Sequence, residues 1–283
     1  MLNPYKITEP TSISFSGGRT SAYMLKMILD AHNGVLPPEA IVCFANTGKE
    51  EEATLKFIND CSVNWNVPIH WLEYQDHEDS TQRYKVVTYE TAARNGEPFE
   101  ALIRKRQYLP NPVTRYCTAI LKIRTMACFL VQTGLFKNWT KSEIENESGW
   151  MGLRYDEARR ATKIADKRRI PLFTSKVTIK EISEFWAKQS FNLELPTYNG
   201  RTLAGNCDLC FLKPTNQVAT LIAEKPERAA WWAKMESLQI ATKDDGNYFR
   251  KDRPNYQSMV KFAADQKTIF DPDEEGIACF CGD

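Results

Sequence analysis

A short apolar segment, Ser12-Ile13-Ser14-Phe15, runs directly into Ser16-Gly17-Gly18-Arg19-Thr20-Ser21, and Ala22 to Leu29 then carries helical spacing. A strand that turns through two glycines into a helix restricts the fold severely. The glycines let the backbone turn tightly and approach a ligand with no Cβ in the way. The helix that follows starts with unbonded N–H groups, and its dipole favours negative charge there. Ser16, Thr20 and Ser21 add hydroxyls, Arg19 adds a guanidinium, and Ser14 precedes them at the strand end. The segment therefore reads as an anion-binding turn. A plain strand-to-helix turn is the competing reading.

The alternation continues. Ala40 to Ala45 is a short apolar run, as expected of a strand buried on both faces. Ala53, Phe57, Ile58, Cys61 and Trp65 recur at helical spacing, and Val67 to Leu72 reads as a third strand. Strand, helix, strand, helix, strand predicts a parallel sheet with crossover helices. Residues 75–115 are polar and mixed, and are expected to form a mobile or substrate-covering segment without a clear element. Ala119 to Val131 reads as one helix and Gly149 to Leu153 as a buried strand. Thr178 and Glu181 form a capping-box start for a helix reaching Trp186. From about residue 191 the pattern changes to short helices and clustered cysteines. The expected division is an α/β domain over 1–190 and a cysteine-bearing, mostly helical extension over 191–283, packed together as one unit.

Net charge is +1, so no global field marks the chain as a nucleic-acid or membrane binder. Two basic clusters stand out locally, Arg104-Lys105-Arg106 and the run from Lys163 to Arg169, which includes Lys167 and Arg168. Each reads as a solvated face or as a phosphate contact. Met1 to Lys6 has no signal-peptide pattern, and no stretch approaches a membrane span. A cytoplasmic, non-membrane protein is expected. In that compartment, eight cysteines point to metal, catalysis or packing rather than disulfides.

The loop is neither a Walker P-loop nor a dinucleotide turn. It resembles the PP-loop of N-type ATP pyrophosphatases, a superfamily that includes the phosphoadenylyl-sulfate (PAPS) reductases. Other segments match in order. Asn46-Thr47-Gly48-Lys49-Glu50 is similar to the Thr-Gly-x-Glu segment of PAPS reductases. Arg115 to Lys122, containing Cys117, is similar to their Cys-x-x-x-(Arg/Leu)-Lys segment. Gly152-Leu153-Arg154-Tyr155-Asp156-Glu157-Ala158-Arg159-Arg160 resembles their Gly-x-Arg motif. Phage-borne members are the most similar, sharing the Ser-Phe-Ser-Gly-Gly-Arg-Thr-Ser-Ala-Tyr opening and Gly-Asn-Cys-x-x-Cys. Thr20 stands where ATP-cleaving members carry an Asp that helps hold Mg²⁺.

The resemblance implies an adenine-nucleotide α-hydrolase fold, Rossmann-like, with a parallel twisted sheet. It implies a nucleotide site drawn from Ser14, Ser16, Gly17, Gly18, Arg19, Thr20, Ser21, Asn46, Thr47, Gly48 and Glu50. Gly152, Arg154, Asp156, Glu157 and Arg160 would complete that site, with Arg115 as a further candidate. It implies catalytic roles for Arg154 and Lys122. Its thioredoxin-dependent members carry a nucleophilic tail cysteine, a part that Cys281 would take by attacking sulfonate sulfur.

Gly205-Asn206-Cys207-Asp208-Leu209-Cys210 is a C-x-x-C whose two thiolates can share a metal or cluster face. With Cys117 and Cys279, or Cys281 in its place, they would form a Cys₄ set. A [4Fe–4S] cluster, a structural zinc and free or redox-active thiols all remain open readings. Cys43, Cys61 and Cys128 read as core, as do Trp231, Trp232, Met235 and Leu238. His32, His70 and His77 have no ligand spacing.

The leading expectation is a PAPS-reductase-like enzyme that binds ATP or PAPS and moves sulfur or electrons. ATP-dependent adenylylation and thiolation of a nucleic acid is the second, and a non-catalytic nucleotide sensor the third. The small-molecule nucleotide is the expected partner. A thiol or electron-donor protein and a second copy of the chain are further candidates, and net charge does not support nucleic acid.

Overall fold

The computed structural model describes residues 3–164, 168–198, 201–242 and 244–265. The Gly-Gly turn has the predicted surroundings: β1 (Thr11–Ser14) leads through it into α1 (Arg19–Ala31). Met24, Leu25, Ile28 and Leu29 form the buried stripe of α1. The chain continues through β2 (Ala40–Asn46), α2 (Glu52–Asn64) and β3 (Ile69–Glu73). Next come β4 (Lys85–Val87) and α3 (Glu97–Arg106). A π-helical segment, Thr118–Arg124, runs straight into α4 (Thr125–Gln132). The helix α5 (Lys141–Asn146) leads to β5 (Gly149–Trp150).

The five strands lie in the order β4-β3-β2-β1-β5. The β1–β2, β2–β3 and β1–β5 pairs are parallel, and β4 joins the β3 edge antiparallel. The fold is α/β with a mostly parallel sheet, as expected. The chain moves outward from β1 to β4 and then returns to the other side of β1. That reversal is the topological switch point, where open α/β sheets place ligands beyond the carboxyl ends of their strands.

Short helices α6 (Ala158–Ala161) and α7 (Pro171–Thr174) precede α8 (Ile179–Trp186). The predicted capping box is present: Thr178 N donates to Glu181 Oε2 at 2.7 Å. A small hairpin, β6 (Thr197–Tyr198) and β7 (Arg201–Thr202), opens the extension. Helices α9 (Thr215–Glu224), α10 (Ala229–Ser237) and α11 (Tyr256–Asp265) follow. Leu209, Phe211, Trp232 and Tyr256 of the extension share one hydrophobic core with Ile13, Met24, Phe57 and Trp71 of the sheet region.

Three expectations need correction. Residues 75–115 are not without structure, because they hold β4 and α3. β4 spans three residues at an edge, too few for alternation to register. In α3, Phe99, Leu102 and Ile103 form a buried stripe whose signal is interrupted by Arg104-Lys105-Arg106. The expected helix over 119–131 is not uniform: its first six residues belong to the π-helical segment, and Thr125 Oγ1 donates to Ile120 O at 2.8 Å. The strand expected over 149–153 pairs with β1 only at Gly149 and Trp150. Beyond it, Met151 N donates to Arg169 O. No helix among the described residues is long and apolar enough to cross a membrane.

Candidate functional site

Gly17 has φ +80°, and a Cβ there would lie 2.6 Å from Thr54 Cγ2 of α2. Both constraints require glycine. Gly18 caps α1 in an extended conformation and offers no side-chain acceptor to the first-turn amides. Ser21 Oγ donates to Gly18 O at 3.0 Å and accepts from Ser16 N at 3.2 Å, which draws the loop into a closed turn.

Beside this turn lies a cavity of about 390 Å³. Ser14, Ser16 and Ser21 form one wall, Cys43 to Ala45 of β2 another, and Met151 and Gly152 a third. Its position is therefore the switch point between β1 and β5. Thr118, Ala119, Lys122, Ile123 and Met126 face it along one stripe of the π segment and α4. π-helical turns often occur at functional sites, because the extra residue re-aims side chains. Arg115, Lys122, Lys163 and Arg168 bring four cationic side chains to the lining, and no carboxylate among the described residues joins them. Burial lowers the Arg168 guanidinium pKa. A partly dehydrated cation in such a wall is best matched by an anion. Phe15, Phe44, Ile123 and Met151 supply apolar surface beside these charges.

The expected site residues fall into two groups. Ser14, Ser16, Ser21, Gly152, Lys122 and Arg115 line the cavity. The other group supports it from outside. Arg19 does not line the cavity: Nε donates to Asn192 Oδ1 at 2.7 Å, and the Nη atoms reach Leu193 O and Thr202 Oγ1. Arg154 is buried beneath the loop, where Nη1 donates to Thr20 Oγ1 at 3.1 Å and Nε to Asp156 at 3.2 Å. Glu157 pairs with both Arg154 and Arg160. Arg154, Asp156, Glu157 and Arg160 are therefore an ion-paired brace behind the Gly-Gly turn, and none of them lines the cavity. Their sequence pattern cannot distinguish a brace from a ligand contact, since both use strand-end arginine beside carboxylates.

Asn46 to Glu50 also folds inward. Asn46 Nδ2 donates to the buried Glu73 Oε1 at 2.6 Å and to Ala93 O at 2.9 Å. Gly48 N donates to Asn46 Oδ1 at 3.1 Å. Glu50 accepts from Thr47 N at 3.0 Å and Thr47 Oγ1 at 2.9 Å. Burial pushes its pKa up, and nearby Lys122 opposes that. Lys122 thus joins the cavity wall to this inner layer.

The C-x-x-C turn docks on the same layer. Thr47 Oγ1 lies 3.4 Å from Cys207 Sγ, and Asp208 N donates to Lys49 O at 2.7 Å. Lys49 Nζ pairs with Asp208 Oδ2 at 3.0 Å, both buried. Lys213 Nζ closes the turn on Gly205 O and Cys207 O at 2.6 and 2.7 Å. Cys210 N donates to Cys207 O at 3.2 Å. Cys117 and Cys210 pack against the same core. A Cys₄ centre needs four converging sulfurs. Among the described residues, no three His, Cys, Asp or Glu side chains gather into a metal-holding group. Cys279 and Cys281, and with them the tail nucleophile, lie outside the described residues, as does Lys167.

Cys43 and Cys61 are buried, and burial raises both thiol pKa values. Cys43, expected as core, is also cavity wall, as is Asn146, which carried no sequence signal. His32 accepts from Ile7 N at 3.0 Å, a structural role.

No family model matches the chain. It is 25% identical over 211 residues to the uncharacterized nin region protein ORF290 of Escherichia phage lambda, a stretch covering 73% of this chain and 67% of that protein.

Proposed function

We propose that the cavity binds an adenosine nucleotide bearing phosphate or sulfate, and that the chain acts on it as a PAPS-reductase-like enzyme. One observation carries the reading: four cationic side chains and the phosphate turn converge on a switch-point cavity whose described lining has no carboxylate. At about 390 Å³ the cavity falls in the range of small-molecule sites. Ser16, Ser21 and the first-turn amides of α1 would hold phosphate oxygens, and Arg168, Lys163, Lys122 and Arg115 would balance their charge. The apolar wall would take the base. Mg²⁺ is held by carboxylates plus substrate phosphates. A carboxylate-free lining, with Thr20 bonded to Arg154, favours a metal-independent sulfonucleotide over Mg²⁺–ATP. It equally disfavours the adenylylation reading.

Calorimetric titration with PAPS, adenosine 3′,5′-bisphosphate and ATP, with and without Mg²⁺, tests this. PAPS and the bisphosphate should bind without Mg²⁺, and Arg168→Ala should weaken both about tenfold or more. Absence of nucleotide binding overturns the proposal.

The same proposal takes Cys117, Cys207, Cys210 and Cys279, or Cys281, as thiolates of a [4Fe–4S] cluster, with zinc as the alternative. The docked C-x-x-C turn supports it by presenting two sulfurs from one closed turn. Such a cluster would supply electrons or charge beside the substrate. Anaerobic purification should give about four irons per chain and absorption near ~400 nm. Stoichiometric zinc without iron would exclude the cluster.

A further inference from the structure

A second cavity, of about 330 Å³, lies on the other side of the π segment. The two cavities share that wall but use opposite faces of it. Lys122, Ile123 and Met126 face the first, whereas Ile120, Arg124 and Thr125 face the second. Five cationic side chains reach the second cavity: Arg83, Lys105, Arg106, Arg124 and Lys141. They come from four separate segments, so no single helix face explains their meeting. Glu145 is the one carboxylate in the described lining.

Four of the five cations are held by partners, and Arg124 is exposed. Arg83 Nε donates to His77 O at 2.8 Å and Nη2 to Glu78 O at 3.3 Å. Arg106 stacks over Tyr108 and Tyr116, with its guanidinium carbon 5.9 and 5.4 Å from the ring centres. Lys141 Nζ donates to Cys128 Sγ at 3.4 Å, and that thiol donates to Ser80 O at 3.2 Å. Lys105 is paired with Asp76. Arg124 and Lys141 have no carboxylate partner among the described residues. Leu102 and Tyr74 add buried apolar wall.

A solvated basic face spreads its charges outward to lower their repulsion. Here they converge on a concavity, which concentrates the positive potential inside it. Gathering them has a Coulombic cost that a bound anion removes. We propose that this cavity is a second anion site, separate from the nucleotide cavity, for a small molecule carrying a phosphate or sulfate group. The cavity matches such a ligand in size, and a net charge of +1 argues against a polyanion as its occupant.

The test is calorimetry on the full chain with inorganic pyrophosphate, inorganic sulfate and a single-stranded oligonucleotide as probes. Wild type is compared with Arg124→Ala plus Lys141→Ala, and with Lys163→Ala plus Arg168→Ala. Lys141 opens α5, where a cation opposes the helix dipole, so its loss should not weaken that helix, and circular dichroism of the double variant checks that it folds. Pyrophosphate should show two classes of site in wild type. The Arg124/Lys141 double variant should lose one class, weakened about tenfold or more, and keep the other. The Lys163/Arg168 variant should show the reverse. Unchanged binding of pyrophosphate and sulfate in the Arg124/Lys141 variant overturns the proposal. So does a result in which only oligonucleotide binding responds, because that would make the cavity part of a nucleic-acid face. A chain that fails to bind nucleotide in the first cavity can still pass this test.

Discussion

Arg154 Nη1 donates to Thr20 Oγ1 at 3.1 Å, joining segments 134 residues apart in sequence. The Gly-Gly turn is thereby fastened to the segment that follows β5. Arg154 is buried, so each of its donors needs an acceptor. Asp156 accepts from Nε, and Glu157 lies 3.5 Å from Nη1. Thr20→Val deletes one acceptor and leaves a buried guanidinium N–H unpaired. The expected cost is about 2 kcal/mol, or a fall in Tm of roughly 5 °C. Thr20→Ser keeps the hydroxyl and should recover most of it. Thermal unfolding followed by circular dichroism decides: equal melting of Thr20→Val and wild type would remove the brace.

Gly152 also touches this turn. A Cβ there would stand 3.1 Å from Ser21 Cα, 3.3 Å from Ser21 N and 3.3 Å from Thr20 O. All three are backbone atoms of the first turn of α1, so no side chain can rotate away. Gly152→Ala should push that turn from its position, weakening the proposed nucleotide binding about tenfold while costing roughly 1–3 kcal/mol of stability. Titration of Gly152→Ala with adenosine 3′,5′-bisphosphate measures this. Wild-type affinity would mean that the turn tolerates displacement.

Much of this arrangement was legible in the sequence, and the reasons differ by residue. Buried strands β2 and β3 advertise themselves as apolar runs between turn residues, and the Gly-Gly turn is placed by its flanking strand and helix. The polar residues are harder. Arg19 stands in the Gly-Gly turn and Arg168 in a basic run far along the chain, yet Arg19 holds the hairpin and Arg168 lines the cavity. The choice rests on where residues 192–202 fold, which is long-range information. Asn146 reaches the cavity from the end of α5 and Cys43 from the middle of β2, placements that depend on how those elements pack. The π turn depends on a single extra residue, which apolar periodicity does not resolve over seven positions.

The Arg19 contacts lead to a third expectation. Asn192 Oδ1, Leu193 O and Thr202 Oγ1 all accept from one guanidinium, and Trp186 Nε1 donates to Arg19 O at 3.0 Å. Three fixed donors from a planar fork are beyond a single ammonium. Arg19→Lys should therefore behave nearly as badly as Arg19→Ala, each losing about 2–3 kcal/mol. Limited proteolysis should cut both variants within 192–205 far faster than wild type. If Arg19→Lys resists cleavage as wild type does, charge alone is sufficient.

Glu236 of α10 gives the extension a pH dependence of definite sign. Its carboxylate is buried and accepts from Tyr256 N at 2.8 Å and Phe249 N at 3.4 Å. Burial pushes its pKa above the ordinary 4.5, and those two bonds together with Arg253 only partly oppose the rise. The folded chain then holds this proton more tightly than the unfolded chain does. Where the native state binds more protons, stability falls as pH rises. The Glu236 contribution is thus complete below pH 4.5 and declines as pH climbs through the raised folded value. Buried Glu50 acts in the same direction, and it is present in both proteins of the following comparison. Urea unfolding of wild type and Glu236→Gln, from pH 4.5 to about neutrality, isolates the term. The stability of wild type relative to the variant should decrease steadily across that range. A constant or increasing difference would place the Glu236 carboxyl at or below its ordinary pKa, and would mean that the two backbone donors and Arg253 outweigh burial.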